Sequence, residues 1–184
     1  LCSPHNPVGR VWNREELKRI GEICLENNIL IVSDEIHSDI IYEGYKHTPI
    51  ASISEELAMN TITLMAPSKT FNIAGLYTSF VIIPNDELRL KYQNSIENLG
   101  IGSTNTFGIE GLQAAYNSGE SWLEQVLKYI EANADFAINY INKNIPNIKV
   151  ARPEGTFLLW LDFTELGLTQ DKLMELTITK GKVW

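Results

Sequence analysis

Apolar positions along this chain follow two periods, and the changes between them predict alternating helices and strands. Asn13-Arg14-Glu15-Glu16 can cap a helix, with Glu16 at the capping-box position and Leu17, Ile20 and Cys24 on one face at helical spacing. Residues 29–33, Ile-Leu-Ile-Val-Ser, form an apolar run too short for a typical helix and rich in β-branched residues. This reads as a buried parallel strand that ends in Asp34-Glu35. A second β-branched run covers 61–65, and a third strand is expected at 78–83, stopped by Pro84-Asn85. Helix is expected from Asp86 through about residue 98. A small polar turn at 100–105 leads to two helices, near 106–117 and 120–144, broken at Asn117-Ser118-Gly119.

The second of these helices is long, and Trp122, Val126, Tyr129, Ile130, Phe136 and Tyr140 fall near helical spacing along it. Such a stripe is read as packing rather than as a cofactor site. Short strands are expected at 149–152 and 155–163, with Phe157, Leu159, Leu161 and Phe163 on one face, and a helix from Asp171 onward. Strand, helix, strand in this order is the unit of a parallel α/β sheet.

Composition narrows the class without naming a function. With 184 residues, 44% hydrophobic and 21% charged, the chain can bury a core and form one domain or two small ones. No run is long enough for a membrane helix, and no charged-then-apolar leader is seen. A net charge of −8 would repel nucleic-acid phosphates and is read as ordinary solubility. Cys2 and Cys24 make no metal or disulfide spacing, so a reducing, cytoplasmic setting is the simpler expectation. His5, His37 and His47 are scattered without a metal-ligand pattern, and His47 is read as a loop histidine. Glu35 should face the opposite side from Asp34 if the strand continues, so the two are not paired as acid and base.

Candidate chemistry gathers where the strands end. A lone lysine beside a strand is ordinarily a solvated surface residue. Lys69, however, lies in Ala66-Pro67-Ser68-Lys69-Thr70-Phe71-Asn72-Ile73-Ala74-Gly75, directly after the 61–65 run. Asp34 ends the 29–33 run, and Asn6 lies in the turn-forming Ser3-Pro4-His5-Asn6-Pro7-Val8-Gly9. In open α/β sheets the ligand crevice lies beyond the carboxyl ends of the strands, so these three can converge there. A primary amine on a flexible stem attacks an aldehyde, a carboxylate keeps a pyridine nitrogen protonated, and an amide donates to a phenolic oxygen without adding charge. Together they match what pyridoxal 5'-phosphate (PLP) needs.

Asn6-Pro7-x-Gly9, Asp34 and Ser68-Lys69-x-x-Asn72-x-x-Gly75 resemble the PLP-dependent aminotransferase class I/II superfamily of fold type I, in order and at similar separations. The wording Ser3 to Trp12, Ser33-Asp34-Glu35-Ile36-His37-Ser38-Asp39 and Ala66 to Leu76 is similar to its MalY/PatB-type cystathionine β-lyase, or C–S lyase, branch. Many aminotransferases carry a tyrosine three residues after the aspartate, where this chain has His37, and an arginine eight residues after the lysine, where it has Tyr77. Both departures are usual for the lyase branch. The phosphate contact is therefore not carried over to Tyr77, whereas Ser68 does match one.

The resemblance implies a mainly parallel sheet with flanking helices and part of a smaller α+β domain. Residues 1–119 would be the C-terminal part of the large PLP-binding domain, 120–145 a long connecting helix, and 146–184 the first part of the small domain. The chain would then be a fragment, because family members are about twice its length. Neighbouring segments would supply the ring-stacking aromatic, a phosphate loop and the arginine for the substrate carboxylate. Lys69 and Asp34 would be catalytic, and Asn6, His37 and Ser68 would join them in holding the cofactor. The implied reaction is α,β-elimination of a sulfur amino acid such as L-cystathionine, with transamination as the alternative. An interaction scaffold with a regulatory role is the reading from another class. The implied assembly is a homodimer, with the 100–105 turn near the partner's active site.

Overall fold

In the computed structural model, which describes residues 1–183, the capping box at Asn13 opens helix α1 (Arg14–Glu26). The Asn13 side chain accepts from the Glu16 N–H at 3.0 Å, and the Glu16 carboxylate accepts from the Asn13 N–H at 3.1 Å. Two of the helix's orphan donors are thereby satisfied. Leu17 is fully buried and packs with Ile31, Ile50 and Leu57, with Ile20 and Cys24 against the cluster. Burial of a leucine of this kind contributes about 1.5–3 kcal/mol. Gly21 lies where α1 meets helix α2 (Glu55–Met59); a Cβ there would come within 2.6 Å of the Leu57 side chain.

Strands β1 (Ile31–Asp34), β2 (Thr61–Met65) and β3 (Phe80–Ile82) form one sheet in that order. β1 and β2 are parallel, with Asp34 opposite Leu64, and β3 runs antiparallel to β2. Cys2 pairs in parallel with Asp34 on the other side of β1. The extended segment at Cys2, β1 and β2 thus run in one direction, and their carboxyl ends share one edge. Residues 29–30 precede the strand, and the third strand is shorter than the apolar run that predicts it.

After β2 the chain makes a one-turn helix, α3 (Pro67–Thr70), and reverses through a 3-10 turn at Ala74–Leu76 into β3. Asn85 caps α4 (Asp86–Asn98) by accepting from the Glu87 and Leu88 N–H groups. Helices α5 (Thr106–Ser118) and α6 (Glu120–Asn144) meet at Gly119, the break that the sequence marks.

The aromatic stripe on α6 is only partly covered within this chain. Ala134 and Ile141 are its buried residues, while Tyr129, Phe136 and Tyr140 are 55–72% exposed and Trp122 is 43% exposed. The inward face is built from smaller groups, while Phe136 and Tyr140 stack at 6.3 Å and Trp122 lies 5.9 Å from the Phe71 ring.

The small β4 (Lys149–Val150) and β5 (Leu161–Asp162) pair antiparallel, followed by helix α7 (Gln170–Met174), which continues through a wider turn at Glu175–Lys180. The strand expected across 155–163 is interrupted. Gly155 bridges to Ile41, Thr156 takes φ +70°, and its N–H bonds the Ile40 carbonyl at 2.9 Å. A left-handed residue cannot continue the alternation of a strand. Position 184, the last of the expected small-domain segment, lies outside the described residues.

Candidate active site

Asp34 is fixed by the backbone of the Leu1–Ser3 segment. Its N–H donates to the Leu1 carbonyl at 2.8 Å, and its carbonyl accepts from the Ser3 N–H at 3.1 Å. The side-chain Oδ1 accepts from the Ile36 N–H at 3.1 Å, which aims the half-buried carboxylate. Glu35, one residue on, faces away as strand alternation requires. It is 1% exposed and accepts from the Ser33 hydroxyl at 2.9 Å through one oxygen and meets His47 Nε2 at 2.9 Å through the other. His47 does lie in a loop, yet it is buried in this pair rather than solvated.

Lys69 stands on the short turn that follows β2. Ala66 is the extended N-cap of α3 and Pro67 its first residue, a position that suits proline's fixed φ and missing N–H. The Lys69 side chain is exposed and has no ion pair among the described residues. Ser68 is half-buried, and its hydroxyl makes no hydrogen bond there. Asn72 has φ +55°, a left-handed conformation that asparagine tolerates better than most residues. Tyr77, also left-handed, is 91% exposed.

Asn6 sits at the tip of a turn closed by bonds from His5 N–H to the Arg10 carbonyl and from Gly9 N–H to the His5 carbonyl, both 2.7 Å. The Ser3-Pro4 and Asn6-Pro7 peptide bonds are cis. Gly9, at φ +80°, has no room for a side chain: a Cβ would come within 2.6 Å of Pro153 Cβ and 2.9 Å of the Gly155 carbonyl. Glu154 completes this clamp by accepting from the Val11 N–H at 2.7 Å. Asn6 is exposed and makes no hydrogen bond to Asp34 or Lys69, although it stands at the same sheet edge.

His37 links the other two. It is 1% exposed, its ring lies edge-on to Phe157 at 5.3 Å, and neither ring nitrogen has a partner. Burial pushes its pKa down, the Lys69 ammonium pushes it down further, and Asp34 opposes both. The imidazole is therefore neutral at pH 7, with Lys69 and Asp34 both in electrostatic reach. A cavity of about 280 Å³ opens beside Lys69, lined by Ile40, Asn72, Trp122 and Phe157. Among the described residues no group of three or more His, Cys, Asp or Glu could hold a metal ion.

The donor set fits PLP. An unpaired amine, an aimed carboxylate with one oxygen uncommitted, a free hydroxyl on Ser68 and an exposed amide share one edge. Buried, partnerless nitrogens on His37 mark a polar group whose hydrogen-bonding capacity the protein leaves unfilled. Sequence reading missed the Ile36 N–H that aims Asp34, the Phe157 ring against His37, and the bond from Thr70 to Asp39. Thr70 and Asp39 lie inside the motifs, so their polarity next to the key residues was the available signal.

A mixed α/β sheet with a lysine, a carboxylate and a buried imidazole at the carboxyl ends of its parallel strands defines the crevice type of α/β protein. The chain belongs to the family described as Aminotransferase class I and II, which it matches over residues 1–184, and within it to the MalY/PatB branch of fold type I. It is 45% identical over 183 residues to the cystathionine beta-lyase PatB of Bacillus subtilis, covering 100% of this chain and 47% of that protein. Protein MalY of Escherichia coli is 30% identical over 184 residues, with 100% and 46% covered. Among solved structures, a PLP-bound putative aminotransferase from Clostridium difficile superimposes with a TM-score of 0.98 at 54% identity, over 100% of this chain and 48% of that one. Cystalysin from Treponema denticola, which contains PLP, gives 0.97 at 40% identity, over 100% and 46%. The chain thus spans about half the length of these relatives.

Proposed function

We propose that the intact protein is a PLP-dependent C–S β-lyase that cleaves cystathionine- or cysteine-type substrates to pyruvate, ammonia and a thiol. The observation that carries this reading is the placement of Lys69 and Asp34 around the buried, unpartnered His37 at the carboxyl edge of a chain 45% identical to a cystathionine beta-lyase. Lys69 would hold the cofactor and take the proton from the substrate Cα. Asp34 would face the pyridine nitrogen and keep it protonated, Asn6 and His37 would face the phenolic-oxygen side, and Ser68 would contact the phosphate. When bound, the cofactor supplies an electron sink for the Cα electron pair. Loss of that proton lets the Cβ–S bond break with the electron pair leaving on sulfur.

Transamination is the second reading, favoured by the description of the 54%-identical neighbour as a putative aminotransferase. The same reading assigns 1–119 to the large domain, 120–145 to the connecting helix and 146–184 to the small domain. It also makes the protein a cytoplasmic homodimer. The exposed Leu99, Ile101 and Phe107 near the 100–105 turn support a partner there, and no helix is long and apolar enough to cross a membrane among the described residues.

The test is product analysis on L-cystathionine. Pyruvate and ammonia should accumulate in equal amounts without an added keto acid; turnover that requires a keto-acid acceptor and releases no thiol would replace the lyase with the aminotransferase. In the same assay Asp34→Asn should retain the cofactor but lose most of its elimination rate, because an amide cannot stabilise the protonated pyridine nitrogen. A near-normal rate would show that another group acts on that nitrogen.

A further inference from the structure

We propose that Asp39 is a positioning residue that sets the Lys69 amine against Asp34 by gripping Thr70. The inference rests on the reading of Lys69 as the cofactor lysine. Lys69 has no side-chain partner among the described residues, and α3, which carries it, is four residues long without a side-chain cap. One backbone bond, from the Phe71 N–H to the Pro67 carbonyl at 2.9 Å, closes that turn. So short a helix does not hold its own geometry in water, and something outside it must fix where it points.

That anchor is next to the lysine. Thr70 is 2% exposed, and its hydroxyl donates to Asp39 Oδ2 at 2.8 Å. Asp39 in turn is tied to Asp34 through a chain of tight turns: Ser38 N–H bonds the Glu35 carbonyl and Ile40 N–H bonds the His37 carbonyl, both at 2.9 Å. Tyr116 on α5 neighbours this carboxylate, and burial and Asp39 together push its hydroxyl up to about 12. Tyr116 is itself wedged edge-on against Phe71 at 5.5 Å and Phe80 at 6.1 Å. The turns after β1 therefore carry Asp39 from Asp34 to Thr70, the residue beside Lys69.

Displacements of about 1 Å in an alignment of this kind can cost on the order of 100-fold in rate. In the intact PLP-loaded protein, Asp39→Ala and Thr70→Val are expected to lower kcat by about 10–100-fold, with KM changing less than about threefold. They should also weaken the visible circular dichroism per bound cofactor and move the pH midpoint of its visible band. Asp39→Asn and Thr70→Ser keep an acceptor and a donor in place, and both should restore the wild-type signals. Where Asp39→Ala does not fold, judged by far-ultraviolet circular dichroism, the Thr70→Val and Thr70→Ser pair carries the comparison. Folded Asp39→Ala or Thr70→Val protein with wild-type kcat, band midpoint and visible dichroism overturns the positioning role alone. Cofactor trapped by borohydride on a lysine other than Lys69 in the wild type overturns the reading beneath it as well.

Discussion

Lys69→Ala is expected to lower elimination from L-cystathionine by at least about 10²–10⁴-fold, the range that a positioned proton-transfer group contributes. The loss should appear in kcat, because in the proposed reaction the amine takes the Cα proton. The cofactor should remain bound through Asp34, Asn6 and Ser68 but no longer be covalently attached. Lys69→Arg should be no better, since a guanidinium does not give up its proton at working pH and cannot serve as the base. Lys91, Lys149, Lys172 and Lys180 are engaged with Glu87, Glu165 or Glu175 at the surface, and Lys46 lines a different cleft, with Trp12 and Tyr45. A Lys69→Ala protein that turns over within tenfold of wild type would remove the lysine from the mechanism.

The second large effect concerns stability and lies behind the site. His47→Ala should destabilise the protein by about 3–5 kcal/mol, the cost of removing one partner from a buried pair. The Glu35 side chain is 2% exposed and that of His47 9%, and the imidazole is the partner of the second carboxylate oxygen. Ser33, fully buried, would still satisfy one carboxylate oxygen and leave the other with nothing. Glu35→Met combined with His47→Leu should cost markedly less than His47→Ala, because no uncompensated carboxylate remains. Urea denaturation measures both, and a His47→Ala loss below about 1 kcal/mol would mean that this pair behaves like an exposed one.

What sequence reading recovers here is what is local. The Asn13–Glu16 capping box, the β1 and β2 runs, and the break at Gly119 depend on neighbours a few residues away, and all stand within two residues of where the pattern puts them. Lys69 and Asp34 were legible as candidates for a related reason: a parallel sheet sends the residues after its apolar runs to one edge. The bonds from Thr70 to Asp39 and from Glu35 to His47 were not, because each joins segments brought together only by packing.

The same limit hid two departures. Alternating apolar residues from Phe157 to Phe163 look like one strand, but tertiary bonds from 155–156 to Ile40 and Ile41 turn Thr156 left-handed and put Phe157 against His37. Helical spacing on α6 marks a stripe correctly but does not say which rings face inward; Leu123, Val126 and Ile130 line the cavity beside Lys69, whereas Tyr129 and Phe136 face out.

The assignment of Lys69 as the cofactor lysine is tested most directly by chemical trapping. The intact protein loaded with PLP is reduced with borohydride, digested and mapped by mass spectrometry. The account predicts the added pyridoxyl mass on the peptide that contains Ser68 through Gly75, at Lys69. The same mass on any other lysine, or on none, would contradict it.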